Sequence, residues 1–265
     1  MQDKIDFTLE LVKAAGFRIK EMMADGIEIQ TKANHADFVT NVDKATEIFL
    51  VSAIQQKYSN QDFLTEENTT PRSESDDLWI IDPIDGTTNF IYQQKNFGIS
   101  IAFYHKRKPV FGIVYDVMAD KMFLGIKGEG AFLNGVKMRK NDPDRNLKAS
   151  LLYGDLYSLT MFPKGVLNLR DALVSHRYLG AASLEICAVA ENQAQAYISR
   201  NLKVWDVAAG VIILNEVGGT YFFGGHEGDI YYNDEDGVFI SSQNNIIENE
   251  IKALMDDALL KTLVL

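Results

Sequence analysis

The chain has 265 residues, 46% of them hydrophobic, which is enough for a large core in one or two domains. Its formal net charge of -11, with no basic cluster to offset it, argues against a nucleic-acid partner or an anionic membrane surface. The single cysteine, Cys187, excludes an intramolecular disulfide and fits a reducing cytoplasm.

The first half of the chain predicts two helices followed by strands. Apolar residues recur at steps of three and four over residues 3–24, which indicates an amphipathic helix that ends at Asp25–Gly26. A second helix is predicted to begin after Asp43 and to end at about Tyr58. Short strands are predicted in "DFLTEEN" and "DLWIID", and an antiparallel meander begins at Phe97 and continues to about Leu124, with a further short strand in "GEGAFLNG".

After about residue 145 the pattern changes to strands that alternate with helices. The predicted strands are 151–153, 195–198, 218–223 and 237–241, and the predicted helices are 182–190, 206–216 and 243–260. We therefore expect an α/β fold of mixed α+β type, in which helices pack against sheets and two subdomains, residues 1–145 and 146–265, share one cleft.

The stretch "LWIIDPIDGTTNF", residues 78–90, places two aspartates at the end of an apolar run. Pro83 restrains the backbone, so Asp85 returns close to Asp82 with the carbonyl of Ile84 between them. Two carboxylates and a carbonyl form a hard-oxygen cluster that suits Mg²⁺ rather than zinc. The four histidines are widely spaced and show no zinc-ligand pattern.

The following "GTTN" predicts the start of a short helix, whose free N–H groups would bind phosphate oxygens. A metal site beside an anion site is what metal-assisted phosphoryl transfer requires. The alternative is a purely local one, in which an Asx turn and a helix cap use the same aspartate and threonine residues. This alternative explains one aspartate well and two poorly.

Three other acidic positions have both a local and a functional interpretation. Glu66 and Glu67 follow a short strand and are typical of a solvated loop. Asp43 stands where a helix cap belongs, which leaves capping and function equally open. Asp206 precedes the apolar helix "VAAGVIIL" and suits a helix N-terminus. Since such a helix is buried, its first-turn aspartate needs a partner, and a metal ion would supply one.

Three motifs together resemble the inositol monophosphatase family of Mg²⁺-dependent, lithium-sensitive phosphatases. They are "WIIDPIDGTTNF", the upstream acidic pair in "TEEN" and the downstream "WDVAAG", and they stand in the family's order. The resemblance extends from "KANHADFVTNVD" at 32–43 to "NEVGGTY" at 215–221. It implies a layered α/β/α/β/α fold, usually assembled as a homodimer.

The resemblance also implies roles for the matched residues. Two or three Mg²⁺ ions would be held by Glu66, Asp82, the carbonyl of Ile84, Asp85 and Asp206. Thr87 and Asp43 would position and activate the attacking water together with Glu66. Phosphate would lie in the turn of Gly86, Thr87 and Thr88, and the backbone of Gly180 and Ala181 would contact substrate. Water would attack in line, without a phosphoenzyme intermediate.

Two positions depart from the family pattern. Inositol-selective members have a glutamate seven residues before the "WD" aspartate, where this chain has Ser199, followed by Arg200. Ser199 could replace the carboxylate as a hydrogen-bond partner. Arg200 could pair with a second phosphate, or it could be a surface cation. Thr65 stands where many members have glycine, which would change the approach of the Glu66 loop slightly.

Three functions stay open at this point. The first is a phosphomonoesterase for inositol or sugar monophosphates. The second keeps the chemistry but prefers fructose 1,6-bisphosphate, NADP or 3′-phosphoadenosine 5′-phosphate. The third is a regulatory binding protein with an incidental phosphatase site. The acidic charge counts against direct contact with nucleic acid, but not against a protein partner. The charged first residues do not resemble a signal peptide, and no apolar run approaches the roughly 20 residues of a membrane span, so we expect a cytoplasmic protein.

Overall fold

A computed structural model of the chain describes residues 1–31, 38–155, 163–224 and 238–255. The helices in these ranges are α1 Gln2–Asp25, α2 Asn41–Lys57, α3 Thr87–Gln93, α4 Pro163–Ala172, α5 Ala182–Ala190, α6 Val204–Glu216 and α7 Asn245–Leu254. The strands are β1 Ile29–Thr31, β2 Phe38–Thr40, β3 Asp62–Thr65, β4 Asp77–Asp85, β5 Gly98–His105, β6 Lys108–Asp116, β7 Lys121–Ile126, β8 Gly130–Leu133, β9 Val136–Lys137, β10 Leu151–Gly154, β11 Ser175–Arg177, β12 Ala196–Arg200, β13 Thr220–Phe223 and β14 Val238–Ser242.

The described strands form two large sheets and one small hairpin. The larger sheet has the order β3-β4-β5-β6-β7-β8-β9, and all of its pairs are antiparallel except the parallel pair β3–β4. The smaller sheet has the order β11-β10-β12-β14-β13, with parallel pairs around β10 and antiparallel pairs around β14. Strands β1 and β2 pair with each other.

Alternation along β4 shows why the larger sheet is buried on both faces. Leu78 and Ile80 pack into a core with α5, α6 and the inner face of the smaller sheet. Trp79 and Ile81 point to the opposite face and pack with α1 and α2. A strand with both faces covered needs an uninterrupted apolar run, which is what the sequence supplies here.

A third core lies on the far face of the smaller sheet, where β10, β12 and β14 pack with α4 and α7. The order of layers is therefore helices, larger sheet, helices, smaller sheet, helices. The predicted α/β/α/β/α arrangement is confirmed. None of the helices in the described ranges is long and apolar enough to cross a membrane.

Most predicted elements are present, with some differences in their bounds. The sequence predicts that the first half forms an antiparallel sheet, but β3 pairs parallel to β4. Strand β4 continues to Asp85 rather than ending at Asp82. The strands β1, β2, β9 and β11 and the helix α4 have no counterpart among the predicted elements. The four strands are only two or three residues long, which is too short to show an alternating pattern.

Some predictions fall partly outside the described residues. The segment 32–37, at the start of the region of family resemblance, lies outside them, and so do residue 237 and the last part of the helix predicted over 243–260. The division of the chain into residues 1–145 and 146–265 stays a prediction.

Candidate active site

The two aspartates of β4 flank an irregularity in the sheet. Asp82 pairs with Ser100 and Asp85 with Gly98, so β4 has one more residue between these pairs than β5 has. This extra residue is a β-bulge, a feature that re-aims side chains and is frequent beside functional sites. Both aspartates are buried, at 2% and 7% exposure, and they lie at the same end of β4.

Asp82 is the most crowded acid of the site. Its Oδ1 accepts the N–H of Ile84 at 2.9 Å. Burial raises its pKa well above the usual range, and the negative charges of Glu66, Asp85 and Asp206 raise it further. Four carboxylates, from β3–β4 and α6, are thus close enough to repel one another.

Asp85 joins the two halves of the chain. Its Oδ1 accepts the N–H of Ala182 at 3.1 Å, and its Oδ2 accepts the N–H and the hydroxyl of Ser183 at 2.7 and 2.5 Å. These groups form the first turn of α5. Burial raises the pKa of Asp85 to about 6, while the bonds from Ser183 and Ala182 oppose that rise.

Asp206 lies in the first turn of α6. Its Oδ2 accepts the N–H of Lys203, the residue that caps this helix, at 2.7 Å. Removal from water and the charge of Asp85 raise its pKa well above the usual range, although part of the residue stays exposed. The predicted helix is confirmed, and its N-terminus faces the acids of β4.

Asp43 and Thr87 are brought together by α2 and α3. The sequence places Asp43 at the helix cap, but α2 begins at Asn41 and Thr40 is the cap, so this expectation is wrong. Asp43 forms a capping box with Thr40, whose N–H and hydroxyl donate to Oδ2. The Thr87 hydroxyl lies 3.4 Å from Asp43 Oδ1 and 3.2 Å from the carbonyl of Ile84.

The environment of Asp43 opposes its ionisation. It is fully buried, and burial raises its pKa to about 7, with a further rise from Glu66 and Glu67, while Thr40 opposes the rise. An acid with such a pKa can exchange a proton near neutral pH, as a group that activates water must.

A cavity of about 260 Å³ lies beside Glu66 and Thr87. It is lined by Phe38, Glu66, Gly86, Thr87, Thr88, Asn89, Tyr178 and Gly180. Two larger hollows of about 810 and 710 Å³ lie elsewhere, and neither contains a predicted site residue. We place the functional site at the small cavity, because Glu66, Thr87 and the turn at Gly86 line it and Glu66 acts electrostatically on the buried acids Asp82 and Asp43.

Gly86 allows the chain to turn at the bottom of this cavity. It caps α3 with φ of 90° and ψ of 41°, a left-handed conformation that favours glycine. A Cβ at this position would lie 3.0 Å from the Cβ of Ala181 and 3.2 Å from the carbonyl of Gly180. The turn at 86 and the turn at 180–181 are therefore in direct contact.

The remaining predicted substrate residues lie on β12. Ser199 is buried and Arg200 is half-buried at the strand's end, six residues before Asp206. Neither residue, nor Ala181, belongs to the described lining of the cavity. Their roles in substrate binding stay predictions.

Four residues that shape the site were given no role by the sequence analysis, although Asn89 is the last residue of the motif "GTTN". Asn89 donates to the carbonyls of Asn96 and Leu179 at 2.9 and 2.7 Å, which fixes α3 against the turn before α5. Glu185 accepts the N–H of Leu179 at 2.7 Å from within α5. Tyr178 lies exposed at the cavity mouth. Glu47 holds the loop that carries Glu66.

The residues present fit Mg²⁺ in their chemistry. As the side chains stand in the described residues, no three of Asp, Glu, His or Cys converge closely enough to hold one ion. The carboxylates of Glu66, Asp82, Asp85 and Asp206 and the carbonyl of Ile84 are nevertheless all hard oxygen donors. These carboxylates repel one another in a buried place, and a divalent cation bound among them would neutralise their negative charge.

Solved structures share the whole architecture. The inositol monophosphatase II of Staphylococcus aureus MSSA476 superposes with a TM-score of 0.83 at 34% identity, covering 97% of this chain and 93% of that one. An IMPase/NADP phosphatase complexed with Mg²⁺ and phosphate superposes with a TM-score of 0.86 at 28% identity, covering 97% and 96%. The layered fold is that of these phosphatases, and the chain is a phosphatase.

The sequence comparisons identify the family. The chain matches the inositol monophosphatase family over residues 1–260, and it belongs to that family. It is 37% identical over 216 residues to the inositol-1-monophosphatase of Bacillus subtilis, covering 79% of this chain and 81% of the relative. Bovine inositol monophosphatase 1 is 36% identical over 231 residues, 83% of each chain. The Nus factor SuhB of Haemophilus influenzae is 37% identical over 201 residues, 74% of each chain.

Proposed function

We propose that this phosphatase is a Mg²⁺-dependent phosphomonoesterase that hydrolyses an inositol or sugar monophosphate with water as the nucleophile. The observation that carries the proposal is the mutual repulsion of four carboxylates, from β4, the loop after β3 and α6, one of which, Glu66, lines a small cavity. A protein stabilises such a cluster only if a cation or bound protons offset the repulsion.

The residues of the chain divide the work of binding and activation. Glu66, Asp82, Asp85, Asp206 and the Ile84 carbonyl would hold two or three Mg²⁺ ions. When bound, these ions offset phosphate charge and acidify water. The peptide N–H groups of the turn at Gly86–Thr88 would hold the phosphate oxygens.

The pair of Thr87 and Asp43 would orient the attacking water. The Thr87 hydroxyl can donate to the Asp43 carboxylate and leave its lone pairs directed at water. Asp43 would receive the proton that the water releases. Its buried position and its pKa of about 7 suit that role. Water would attack the phosphorus directly, the ester P–O bond would break, and the leaving oxygen would take up a proton and depart as the alcohol, without a covalent enzyme intermediate.

The substrate class depends on the groups around the cavity mouth. An inositol or sugar ring would lie against Gly180 and Ala181, where small residues leave room for it. Fructose 1,6-bisphosphate, NADP and 3′-phosphoadenosine 5′-phosphate are the alternatives, with Arg200 as the partner of a second phosphate. Activity on NADP in one structural relative supports testing this group alongside inositol 1-phosphate.

The first experiment measures phosphate release with Mg²⁺ from these four substrates. We expect turnover of at least one, and a loss of at least about 100-fold in kcat/KM in Asp82→Asn, because a ligand of the charge-neutralising ions is removed. Asparagine keeps the acceptor that bonds the Ile84 N–H, so the bulge is expected to survive.

The matched control is Asp77→Asn. Asp77 begins the same strand, but its partners are Lys4 and His105, at 2.9 and 2.6 Å. This variant is expected to retain wild-type turnover. Retained activity in Asp82→Asn, or no phosphate release by folded wild-type protein at any Mg²⁺ concentration, would contradict the proposal.

A regulatory binding protein is the second candidate, and the similarity to a Nus factor is the observation that favours it. The net charge of -11 disfavours direct contact with nucleic acid, so its partner would be a protein. Under this proposal Asp82→Asn would lose phosphatase activity and still complement a strain that lacks the gene. Failure of complementation would favour the enzymatic role.

Further properties are proposed from the family alone. They are a homodimeric assembly, a cytoplasmic location and inhibition by lithium. The single cysteine, Cys187, is buried and forms no disulfide, which is consistent with a reducing compartment.

A further inference from the structure

A buried glutamate on α2 holds the loop that follows β3. Glu47 is fully buried, and among the described residues its partners are hydrogen-bond donors rather than cations. Its Oε1 accepts the hydroxyl of Thr65 at 2.8 Å and the N–H and hydroxyl of Thr69, each at 2.7 Å. Its Oε2 accepts the N–H of Glu67 at 2.8 Å. One carboxylate thus closes a five-residue loop, Thr65 to Thr69.

These bonds flank Glu66 on both sides. Thr65 and Glu67 are its chain neighbours, and both donate to Glu47. Successive side chains along an extended backbone point in opposite directions, so Thr65 turns towards α2 while Glu66 lines the cavity. The N–H of Glu66 donates to the carbonyl of Ile81 at 3.2 Å, which fixes the backbone from the β4 side as well.

The same helix also carries Asp43. Asp43 and Glu47 are four residues apart on α2, so they lie on the same face of the helix, one turn from each other. Asp43 contacts Thr87, and Glu47 holds the loop of Glu66. Helix α2 therefore sets the distance between the pair that orients water and the acid that lines the cavity.

We propose that Glu47 is a positioning residue that fixes Glu66 relative to the Asp43–Thr87 pair by clamping residues 65–69 to α2. This inference rests on the proposed function, because it takes Glu66 as a ligand of Mg²⁺. A residue that orients a metal ligand commonly changes metal affinity by about 10- to 100-fold when it is replaced.

The test compares Mg²⁺ binding and turnover in Glu47→Gln and Thr65→Val. Glutamine places an N–H₂ group in the carboxylate's position, so it cannot accept all four bonds, whereas Thr65→Val removes one donor and keeps the shape of the side chain. We expect about 10- to 100-fold weaker Mg²⁺ binding for Glu47→Gln, by titration calorimetry without substrate, and a smaller loss for Thr65→Val. The KM for substrate at saturating Mg²⁺ should change less than the Mg²⁺ affinity.

The control is Val51→Ala, one turn further along α2 in the apolar core. It lowers stability without touching the loop, so it should keep the wild-type Mg²⁺ affinity. Equal Mg²⁺ affinity in folded Glu47→Gln, Thr65→Val and wild-type protein would overturn the positioning role alone. A wild-type protein that neither binds Mg²⁺ nor releases phosphate would overturn the proposed function, and this inference with it.

Discussion

Three acids of the candidate site accept hydrogen bonds from backbone N–H groups at the starts of helices. Asp43 bonds to the cap of α2, Asp85 accepts two N–H groups of α5, and Asp206 accepts the N–H of Lys203 at the start of α6. The local interpretation of these residues and the functional one are therefore compatible. Each carboxylate keeps acceptor capacity for a further partner, since a carboxylate accepts up to about four bonds.

Glu185 shows the effect of burial on a carboxylate that has one oxygen without a hydrogen-bond partner in the described residues. Its Oε1 accepts the N–H of Leu179, while its Oε2 has no hydrogen-bond partner among the described residues. Burial raises its pKa to about 8, with further rises from Asp85 and Asp155, although the bonds from Leu179 and Gly180 oppose them. The folded protein thus holds a proton that the unfolded chain releases above pH 4.5.

We predict a pH-dependent stabilisation by Glu185→Gln. Because the folded state binds more protons than the unfolded state between pH 4.5 and about 8, this group makes stability fall as pH rises through that window. The variant has no such group. The difference between its free energy of unfolding and that of wild type should therefore increase with pH, by up to about 1.4 kcal/mol for each pH unit in this window. Urea unfolding at pH 5, 6, 7 and 8 in EDTA measures it. A difference that is constant with pH would contradict the prediction.

At the scale of elements, the site depends on how closely α6 approaches the larger sheet. A Cβ at Gly112 of β6 would lie 2.5 Å from the carbonyl oxygen of Ala209, and a Cβ at Gly125 of β7 would lie 2.7 Å from the Cα of Ile213. Glycine is needed at both positions because the helix backbone itself occupies the space. The first turn of α6, with Asp206, is placed by these contacts.

We predict that Gly112→Ala lowers both stability and activity. The methyl group would displace α6, at a cost of about 1–3 kcal/mol in the free energy of unfolding. A displacement of Asp206 should lower kcat/KM by about 10-fold or more in the protein that stays folded. Gly128→Ala is the control, since it has φ of 82° but no atom within 4 Å of the new methyl group. It tests backbone strain without a shift of α6. Similar activity in the two variants would count against the prediction.

At the scale of the whole molecule, the site joins parts of the chain that are distant in sequence. Asp82 and Asp85 come from the larger sheet, Asp206 from α6, and the N–H groups bound to Asp85 from α5. A cation bound among them stabilises the folded chain, because the unfolded chain does not assemble the ligands.

We predict opposite effects of Asp82→Asn with and without Mg²⁺. In EDTA the variant should melt at a higher temperature than wild type, because a repelling buried charge is removed. With Mg²⁺ at about 100 times its dissociation constant, wild type should gain about 2.7 kcal/mol and the variant much less. Thermal unfolding followed by circular dichroism measures both, and Asp77→Asn should respond to Mg²⁺ like wild type. An equal Mg²⁺ response in wild type and Asp82→Asn would contradict the prediction.

The sequence by itself determined the elements with strong local signals. Periodicity predicted α1, apolar runs predicted β4 and α6, and the "GTTN" stretch predicted the start of α3, because these patterns depend only on chain neighbours. The bunched acids of "DPIDGTTN" and the family resemblance predicted most of the candidate site. They did not predict the cap of α2, which is Thr40 rather than Asp43, three residues further along the chain.

The tertiary structure decided which residues support the acids. Glu47 and Thr65 are 18 residues apart, Asn89 and Leu179 are 90 apart, and Asp85 and Ser183 are 98 apart. From the sequence, Glu47 on α2 would be expected to be exposed to solvent, and only the loop that covers it shows that it is buried. Partners that are distant in the chain meet only when the layers pack. Local sequence patterns can therefore predict the acids of the site, but not the residues that hold them in position through hydrogen bonds.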